Sequence, residues 1–369
     1  MPSTALAADN ASRAVEAYNA MQAYFYQPSS KLYREHYPFD SSMDRPIGYL
    51  WSFEEAAKAT LCMYGLPGQA GTYAQAVEDR LSARESYWDG ETRARGYRSY
   101  PSTGDRYYDD NDWVGSDLLQ HHVMTSKASS STALERAQGV FNYVQTGWEP
   151  RLPKPGGVRW VDAAFNGDRG TGSTGGSSKL AAHLYDATGR RSRSYLDWAI
   201  KAYHWTKQYL LSPANGLYWD NIRADGSVDP DQWIYNQGVL IGANVLLHRI
   251  TGTAQYLTEA VRLADASLAF YGTGAYYSGS NGAYPGRSIF NAIFFRNLLM
   301  LYAVNRNPSY LQQMQAYAEA AWVDPNVRDP QTNLFRLNGE SRYSLLDQAG
   351  MVQVYACLGW ESTMYGKLT

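Results

Sequence analysis

Apolar residues recur every three or four positions along most of the chain, which is the spacing of amphipathic helices. No stretch of the sequence shows the sustained period-two alternation of half-buried strands. The pattern therefore predicts an all-α fold. The expected helices span residues 10–26, 49–64, 71–87, 110–126, 131–147, 175–189, 192–211, 233–250, 254–270, 288–304, 307–323 and 344–360.

The links between the predicted helices alternate in length. Long links follow the odd-numbered helices, and short ones reading GLPGQA, KASS, RR, TGTA and RNP follow the even-numbered helices before the last. Helices joined by short turns pack antiparallel, so an up-and-down path places every long link at the same end. We expect one domain over residues 1–369, an (α/α)6 barrel with its long loops on one face. A helical solenoid is the structural alternative, but no sequence signature repeats at a fixed period.

The two cysteines lie at matching depths in the second and twelfth predicted helices. In a closed ring these two helices are inner helices, parallel, and neighbours at the seam. Cys62 and Cys357 are therefore expected side by side. A disulfide and a pair of buried free thiols both remain open, and free thiols are favoured because buried cysteines commonly behave as small hydrophobic residues.

Aromatic residues are unusually abundant, with 31 Tyr and 11 Trp. Rings with a polar edge suit surfaces that stack on sugars, although any one of them can equally fill the core. The long loops are rich in Gly, Asp, Tyr and Trp, and loops on a rigid scaffold commonly carry the functional site. The predicted sugar-stacking residues are Trp88, Tyr107, Trp160, Trp219 and Tyr284.

The charge distribution narrows the choice of partners. The net charge is −2 and no block of like charges occurs, so neither a nucleic acid nor an anionic membrane is an expected partner. No apolar run approaches the roughly 20 residues that span a bilayer. Ala5 and Ala7 form an A-x-A pattern near the start, so we expect residues 1–9 to be disordered or the remnant of a secretory signal. A secreted monomer is the prediction.

The segment RYYDDNDWVG, residues 106–115, crowds carboxylates beside large rings. One aspartate here would serve as a helix N-cap, but Asp109, Asp110 and Asp112 exceed that need. The helix dipole favours an ionised carboxylate, and a second carboxyl beside that charge is harder to ionise. One ionised and one protonated carboxyl, about 5–5.5 Å apart, is the requirement of a retaining glycosidase.

Other chemistries lack their motifs. The six histidines show no metal-ligand spacing such as H-E-x-x-H, so no metal is expected. There is no G-x-S-x-G nucleophile elbow, and the stretch GTGSTGG lacks the lysine of a phosphate-binding loop. We therefore expect a site without a cofactor.

Several motifs resemble glycoside hydrolase family 76, the endo-acting α-1,6-mannanases. They are YYDDNDW, GGVRW, YLDWA, NGLYWDNI and IYNQGVLIGANVLLHRITG, and the resemblance covers roughly residues 95–360. It implies an (α/α)6 barrel and a retaining mechanism on an α-mannan polysaccharide. It further implies that Asp109 is the nucleophile and Asp110 the acid/base. By the same resemblance the sugar-binding cleft is lined by Asp220, Tyr235, Asn236 and Gln237.

The sequence departs from the family pattern at positions expected in the cleft. Asp112, followed by Trp113, stands where a small or apolar residue is usual. Gly170 and Thr174 replace two asparagines, and Asn291 occupies the place of a Lys-Gly pair. Asp112, Trp113 and Asn291 are therefore included among the predicted substrate-binding residues. A hydrolase or transglycosidase for a different α-glycan, a non-catalytic carbohydrate-binding barrel and a sugar epimerase remain as alternatives.

Overall fold

The computed structural model describes residues 4–90, 95–125, 129–164, 166–272, 287–337 and 341–369. Within these residues the chain forms twelve α-helices and nine strands of two residues each. Helices α1 to α12 span Thr4–Tyr24, Leu50–Tyr64, Ala70–Arg84, Tyr108–Met124, Ser129–Gln145, Thr171–Ala187, Arg193–Leu210, Ile234–Thr251, Ala254–Tyr271, Ser288–Asn305, Pro308–Val323 and Leu345–Gly359. Strands β1 to β9 span Tyr26–Gln27, Leu32–Tyr33, His36–Tyr37, Trp88–Asp89, Gly96–Tyr97, Arg169–Gly170, Asn221–Ile222, Val228–Asp229 and Tyr343–Ser344.

Each predicted helix has a counterpart, and two, α1 and α6, begin four or more residues earlier than expected. Helix α1 begins at Thr4 rather than at residue 10, so the predicted disorder of residues 1–9 is wrong from Thr4 onward. The segment TALAAD consists largely of good helix formers, and these extend the helix. A signal remnant in this region stays a prediction. None of the described helices combines the length and the apolar character needed to cross a membrane.

The chain forms two compact units, one of residues 1–85 with 271–368 and the other of residues 86–270 with Thr369. In the first unit, α12 packs against α1, α2 and α10, and every residue of α12 is buried. A Cβ on Gly350 of α12 would lie 2.6 Å from the backbone nitrogen of Ile289 in α10. Helix α12 is therefore the tightly packed centre of this unit. A single domain over residues 1–369 stays a prediction.

The two cysteines meet between α2 and α12, as predicted. The Sγ atoms of Cys62 and Cys357 lie 3.7 Å apart, and both residues are buried free thiols. The hydrogen bond to Cys62, together with burial, raises the pKa of the Cys357 thiol. The pair therefore packs as two neutral thiols.

In the second unit, α6 packs against α4, α7 and α8. It begins at Thr171 rather than at residue 175. The glycine-rich residues before position 175, which the sequence pattern predicted to be a loop, are therefore part of the helix. A Cβ on Gly175 would lie 2.6 Å from Cδ2 of Leu240 in α8, and one on Gly176 would lie 2.9 Å from Oδ2 of Asp112 in α4. Close packing of neighbouring helices thus outweighs the low helix propensity of glycine.

A small sheet organises the long loops of the second unit. Its strand order is β6-β7-β8, and Gly170 is paired with Asn221. The buried guanidinium of Arg169 donates to the carbonyl oxygens of Lys154 at 2.9 Å, Gly156 at 3.1 Å and Pro153 at 2.9 Å. The sheet and this arginine bring loop backbone next to the N-terminus of α6.

Candidate active site

A cavity of about 230 Å³ lies in the second unit, where α4, α6 and α8 begin. The predicted convergence of long loops on the N-terminal ends of the even-numbered helices is confirmed for these three helices. The cavity is lined by Asp109, Trp160, Asp168, Gly170, Gly172, Ser173, Asp220, Asn221 and Tyr235.

The first turn of α4 presents Asp109 and Asp110. Tyr107 is the N-cap residue but makes no side-chain cap, so the aspartates lie inside the helix rather than at its cap. The turn is anchored by the buried Asn111, whose Nδ2 donates to the Tyr107 carbonyl at 2.8 Å and whose Oδ1 accepts from the Tyr97 N–H at 2.8 Å. Strand β5 therefore holds the start of α4, and the paired carboxylates are placed on a fixed turn.

The ionisation of Asp109 is strongly affected by its surroundings. Burial, and to a smaller extent repulsion from Asp220, raises the pKa of Asp109 to about 7. The Asp110 N–H, which donates to Oδ1 of Asp109 at 3.0 Å, opposes this shift. The helix dipole was expected to keep this carboxyl ionised, but the cost of burying the charge exceeds that effect.

Trp160 and Tyr107 form an aromatic wall beside Asp109 and Asp110. Their ring centroids lie 5.0 Å apart in an edge-on arrangement, and Trp160 is 44% exposed. The N–H of Tyr108 donates to the Trp160 carbonyl at 2.8 Å, which ties the loop to the start of α4. The half-exposed indole lines the cavity, and its role as a sugar-stacking residue stays a prediction.

Asp220 and Tyr235 line the same cavity as Asp109. Asn236 and Asn221 donate from Nδ2 to the two carboxylate oxygens of Asp220, each at 2.9 Å. Burial raises the pKa of Asp220 in spite of these hydrogen bonds. Burial and the charges of Asp220 and Asp109 raise the pKa of Tyr235, so its hydroxyl stays protonated.

Gln237 and Trp219, both predicted to bind substrate, do not line the cavity. The buried Gln237 amide accepts from the Tyr218 N–H at 2.7 Å and donates to the Tyr218 carbonyl at 2.9 Å. Trp219 is half-buried, and its carbonyl accepts from the Thr171 hydroxyl at 2.6 Å. In this structure the two residues fasten the loop before Asp220 to α8 and α6.

Asp112 lies one turn below Asp109 on α4 and is 1% exposed. Neither of its carboxylate oxygens has a hydrogen-bond partner among the described residues. Burial, followed by repulsion from Asp109, raises the pKa of Asp112 well above its usual range. Asp112 is therefore a buried carboxyl against Gly176 of α6 whose surroundings favour the protonated form, and the neighbouring Trp113 is buried at 9% exposure.

Four further positions expected in the cleft lie elsewhere or outside the described residues. Trp88 lies on β4 beside α5, lining a separate cavity, because its ring packs on Tyr97 with centroids 4.9 Å apart. Thr174 is buried, and its hydroxyl accepts from the Val158 N–H at 2.9 Å. Asn291 is buried in α10 of the first unit, where its amide has no partner among the described residues. Tyr284 lies outside the described residues.

Sequence reasoning missed part of the lining. Asp168, Gly172, Ser173 and Asn221 reach the cavity through the β6–β7 pairing and the first turn of α6. Asn221 follows Asp220 within the segment NGLYWDNI, and Ser173 lies in GTGSTGG. Both residues therefore lie next to positions that the sequence motifs had already marked as candidates for the cleft. Among the described residues no cluster of three or more His, Cys, Asp or Glu side chains is arranged to hold a metal ion.

Comparisons with known proteins identify related glycoside hydrolases. A family model described as glycosyl hydrolase family 76 matches residues 9–367. The mannan endo-1,6-alpha-mannosidase DCW1 of Saccharomyces cerevisiae is 32% identical over 175 residues, which make up 44% of this chain and 38% of that protein. The chain thus matches well under half the length of this curated relative.

Solved structures match over nearly the whole chain. A family 76 glycoside hydrolase (mannosidase) from Bacteroides thetaiotaomicron has a TM-score of 0.85 at 23% identity, covering 95% of this chain and 98% of its own. An α-1,6-mannanase from Salegentibacter sp., an inactive variant with two consecutive aspartates replaced by asparagine and bound to α-1,6-mannotriose, has a TM-score of 0.78 at 21% identity, covering 95% and 99%. These matches confirm the predicted fold class, the (α/α)6 barrel.

Proposed function

Since the chain belongs to glycosyl hydrolase family 76, we propose that it is a retaining, endo-acting hydrolase of α-1,6-mannosidic linkages. The observation that carries the proposal is the position of Asp109 and Asp110, the one pair of consecutive aspartates in the sequence, on the first turn of α4 at the cavity. The relatives supply the substrate class, because one is a mannan endo-1,6-alpha-mannosidase and another binds α-1,6-mannotriose.

In the proposed mechanism Asp109 is the nucleophile and Asp110 the acid/base. Asp109 attacks the anomeric carbon while Asp110 protonates the departing glycosidic oxygen, which leaves a glycosyl ester on Asp109. Asp110 then takes a proton from water as that water attacks the anomeric carbon, and Asp109 leaves as a carboxylate. Two inversions give net retention of the anomeric configuration.

An unpaired acceptor in the cavity wall suits a hydroxyl-bearing ligand. The Oδ1 atom of Asn221, which lines the cavity, is buried and has no hydrogen-bond partner within the described part of the chain. Asn236, predicted to line the cleft, is instead fully buried behind it and supports Asp220. A buried acceptor without a donor is costly, and a sugar hydroxyl bound in the cavity would satisfy it. The exposed indole of Trp160 supplies the flat surface on which the C–H face of a hexose packs.

Incubation with α-1,6-mannan, with products followed by mass spectrometry and anomeric NMR, tests the proposal. We expect oligosaccharides of several lengths, each released first with retained configuration. Release of monosaccharide alone would contradict endo action, and inverted product would contradict Asp109 as nucleophile.

A different α-linked glycan is the second candidate substrate. On such a substrate the enzyme would either hydrolyse the glycosidic bond or transfer the sugar to another sugar. The specific observation is Asp112, a buried carboxyl with a raised pKa one turn below the proposed nucleophile, where the family pattern has a small or apolar residue. A panel of α-linked glycans assayed beside α-1,6-mannan separates the two candidates. A polysaccharide substrate outside the cell is consistent with the prediction that the protein is a secreted monomer.

A further inference from the structure

A second, larger cavity lies in the same unit as the candidate active site. Its volume is about 640 Å³, and no described residue lines both cavities. One of its walls is α5 and the other comes from the β4–β5 region. Its lining consists of Trp88, Arg95, Thr132, Glu135, Arg136, Gly139, Asn142, Tyr143 and Thr146. We call this cavity the α5 groove.

The α5 wall is a ladder of polar groups. Thr132, Glu135, Gly139 and Asn142 are spaced three or four residues apart on α5, so they share one face of the helix, and Thr146 lies in the turn directly after it. The helical part of this wall extends for about 15 Å at 1.5 Å per residue. A Cβ on Gly139 would meet no atom within 4 Å, which leaves an open floor midway along the groove.

Trp88 of β4 faces α5 and is covered by Arg136 from that helix. The guanidinium carbon of Arg136 lies 3.9 Å from the centroid of the Trp88 ring. Tyr97 packs edge-on with the same indole, with ring centroids 4.9 Å apart. The stack thus fixes the position of one cationic group in the groove lining.

The polar groups of the groove lining determine which class of ligand the groove can bind. Hydroxyl, amide, carboxylate and guanidinium groups mix donors and acceptors along the groove, as a polyhydroxylated chain requires. Two arginines against one glutamate give too little positive charge for a nucleic acid, whose binding depends on neutralising several phosphates. The exposed α5 residues are polar, so the groove does not suit the apolar face of a helix.

We propose that the α5 groove is a second, non-catalytic binding site for the polysaccharide, one that holds a distant stretch of the chain being cleaved. This inference rests on the proposed function for the identity of the sugar. Binding at two places on one polymer raises the effective concentration of its cleavable linkages at the active site.

The groove is also connected to the catalytic helix. Tyr143, which lines the groove, stacks on Tyr108 with centroids 4.9 Å apart and an interplanar angle of 11°. The Thr146 hydroxyl lies 3.4 Å from the Tyr108 hydroxyl. Tyr108 directly precedes Asp109 in α4, so the inner wall of the groove supports the turn that carries the nucleophile.

The test compares a long and a short substrate. In Arg136→Ala we expect KM for polymeric α-1,6-mannan to rise about tenfold, with kcat/KM for α-1,6-mannotetraose within twofold of wild type. Lys201→Ala is the matched control, because Lys201 also lies over an indole of this unit, 3.7 Å from the Trp148 ring centroid and outside the groove lining. It should change neither value. Asn142→Ala, at an exposed position on α5, gives the same comparison without disturbing the stack on Trp88.

A binding measurement decides the matter independently of turnover. In an Asp109→Asn background, titration with the polymer should weaken about tenfold on adding Arg136→Ala, whereas titration with mannotriose should not change. Unchanged polymer binding in both groove variants would overturn the proposal, as would a groove-dependent preference for an acidic polysaccharide such as heparin over mannan. A wild-type protein that cleaves neither substrate would refute the proposed function alone, and the polymer titration would still decide whether the groove binds mannan.

Discussion

The two cavities of the second unit differ in what their walls contain. The smaller one, at Asp109, brings together buried carboxyls whose pKa values are raised and an amide oxygen without a partner. The larger one, the α5 groove, is lined mainly by polar and charged groups, several of them exposed on α5. We propose the smaller cavity as the active site in spite of its volume, because clustered groups with perturbed pKa values are typical of catalytic sites.

The largest expected effect comes from neutralising Asp109 and Asp110, the proposed catalytic pair. Asp109→Asn and Asp110→Asn should each lower kcat by about 10³-fold or more while leaving the melting temperature within a few degrees. Asp197→Asn, an exposed acidic position on α7, serves as the matched control and should keep full activity. Azide should restore turnover to Asp109→Ala with inverted product. Loss of activity in the control, or retained activity in either catalytic variant, would refute the assignment.

The aromatic wall offers the next largest effect. Trp160→Ala should weaken oligosaccharide binding about tenfold with little change in melting temperature, because the ring is 44% exposed. Trp113→Ala, at 9% exposure, should instead lower the melting temperature by several degrees through the cavity it leaves. Calorimetric titration and thermal melting of both variants separate binding from packing. The reverse pattern would place Trp160 in the core and Trp113 at the ligand.

The pH dependence of kcat/KM measures the burial at Asp109. A nucleophile must be ionised, and the pKa of Asp109 is raised to about 7, so the acidic limb should fall near pH 7. Because repulsion from Asp220 contributes to that shift, Asp220→Asn should move the limb to lower pH. The pH dependence of kcat, measured for both proteins at saturating substrate, separates this shift from any weaker substrate binding in the variant. An acidic limb near pH 4 in wild type, or one that Asp220→Asn leaves in place, would contradict this account.

Asp112 gives a smaller effect, on stability. Its folded pKa is raised above the unfolded value, so its contribution to stability is fully present below about pH 3.9 and declines as pH rises toward the folded pKa, at up to about 1.4 kcal/mol per pH unit. Asp112→Asn removes this penalty and should raise the melting temperature by several degrees at pH 7 and hardly at all at pH 4. Asp197→Asn should show no such difference. An equal effect at both pH values would mean that Asp112 is ionised in the folded protein.

The α5 groove could not have been read from the sequence, although one of its residues had been singled out. Trp88 was expected at the active site because it lies in a long loop rich in aromatics and aspartates. The β4–β5 pairing and the stack with Arg136 place it against α5 instead. Loop composition indicates which side chains are available, but strand pairing decides the direction in which each one points.

The sequence by itself determined the existence of the helices and the all-α class, and it singled out the Asp109–Asp110 pair as candidates, because helical periodicity and adjacent carboxylates are local properties of the chain. The meeting of Cys62 and Cys357 was also predicted, but only together with the expected closure of the helical ring, which makes α2 and α12 neighbours. Tertiary structure decided the rest. It made GTGSTGG helical through contacts with α4 and α8, turned Gln237 onto the Tyr218 backbone, and raised the pKa of Asp109 against the helix dipole. Each of these outcomes depends on desolvation and packing by residues distant in sequence, which no local pattern records.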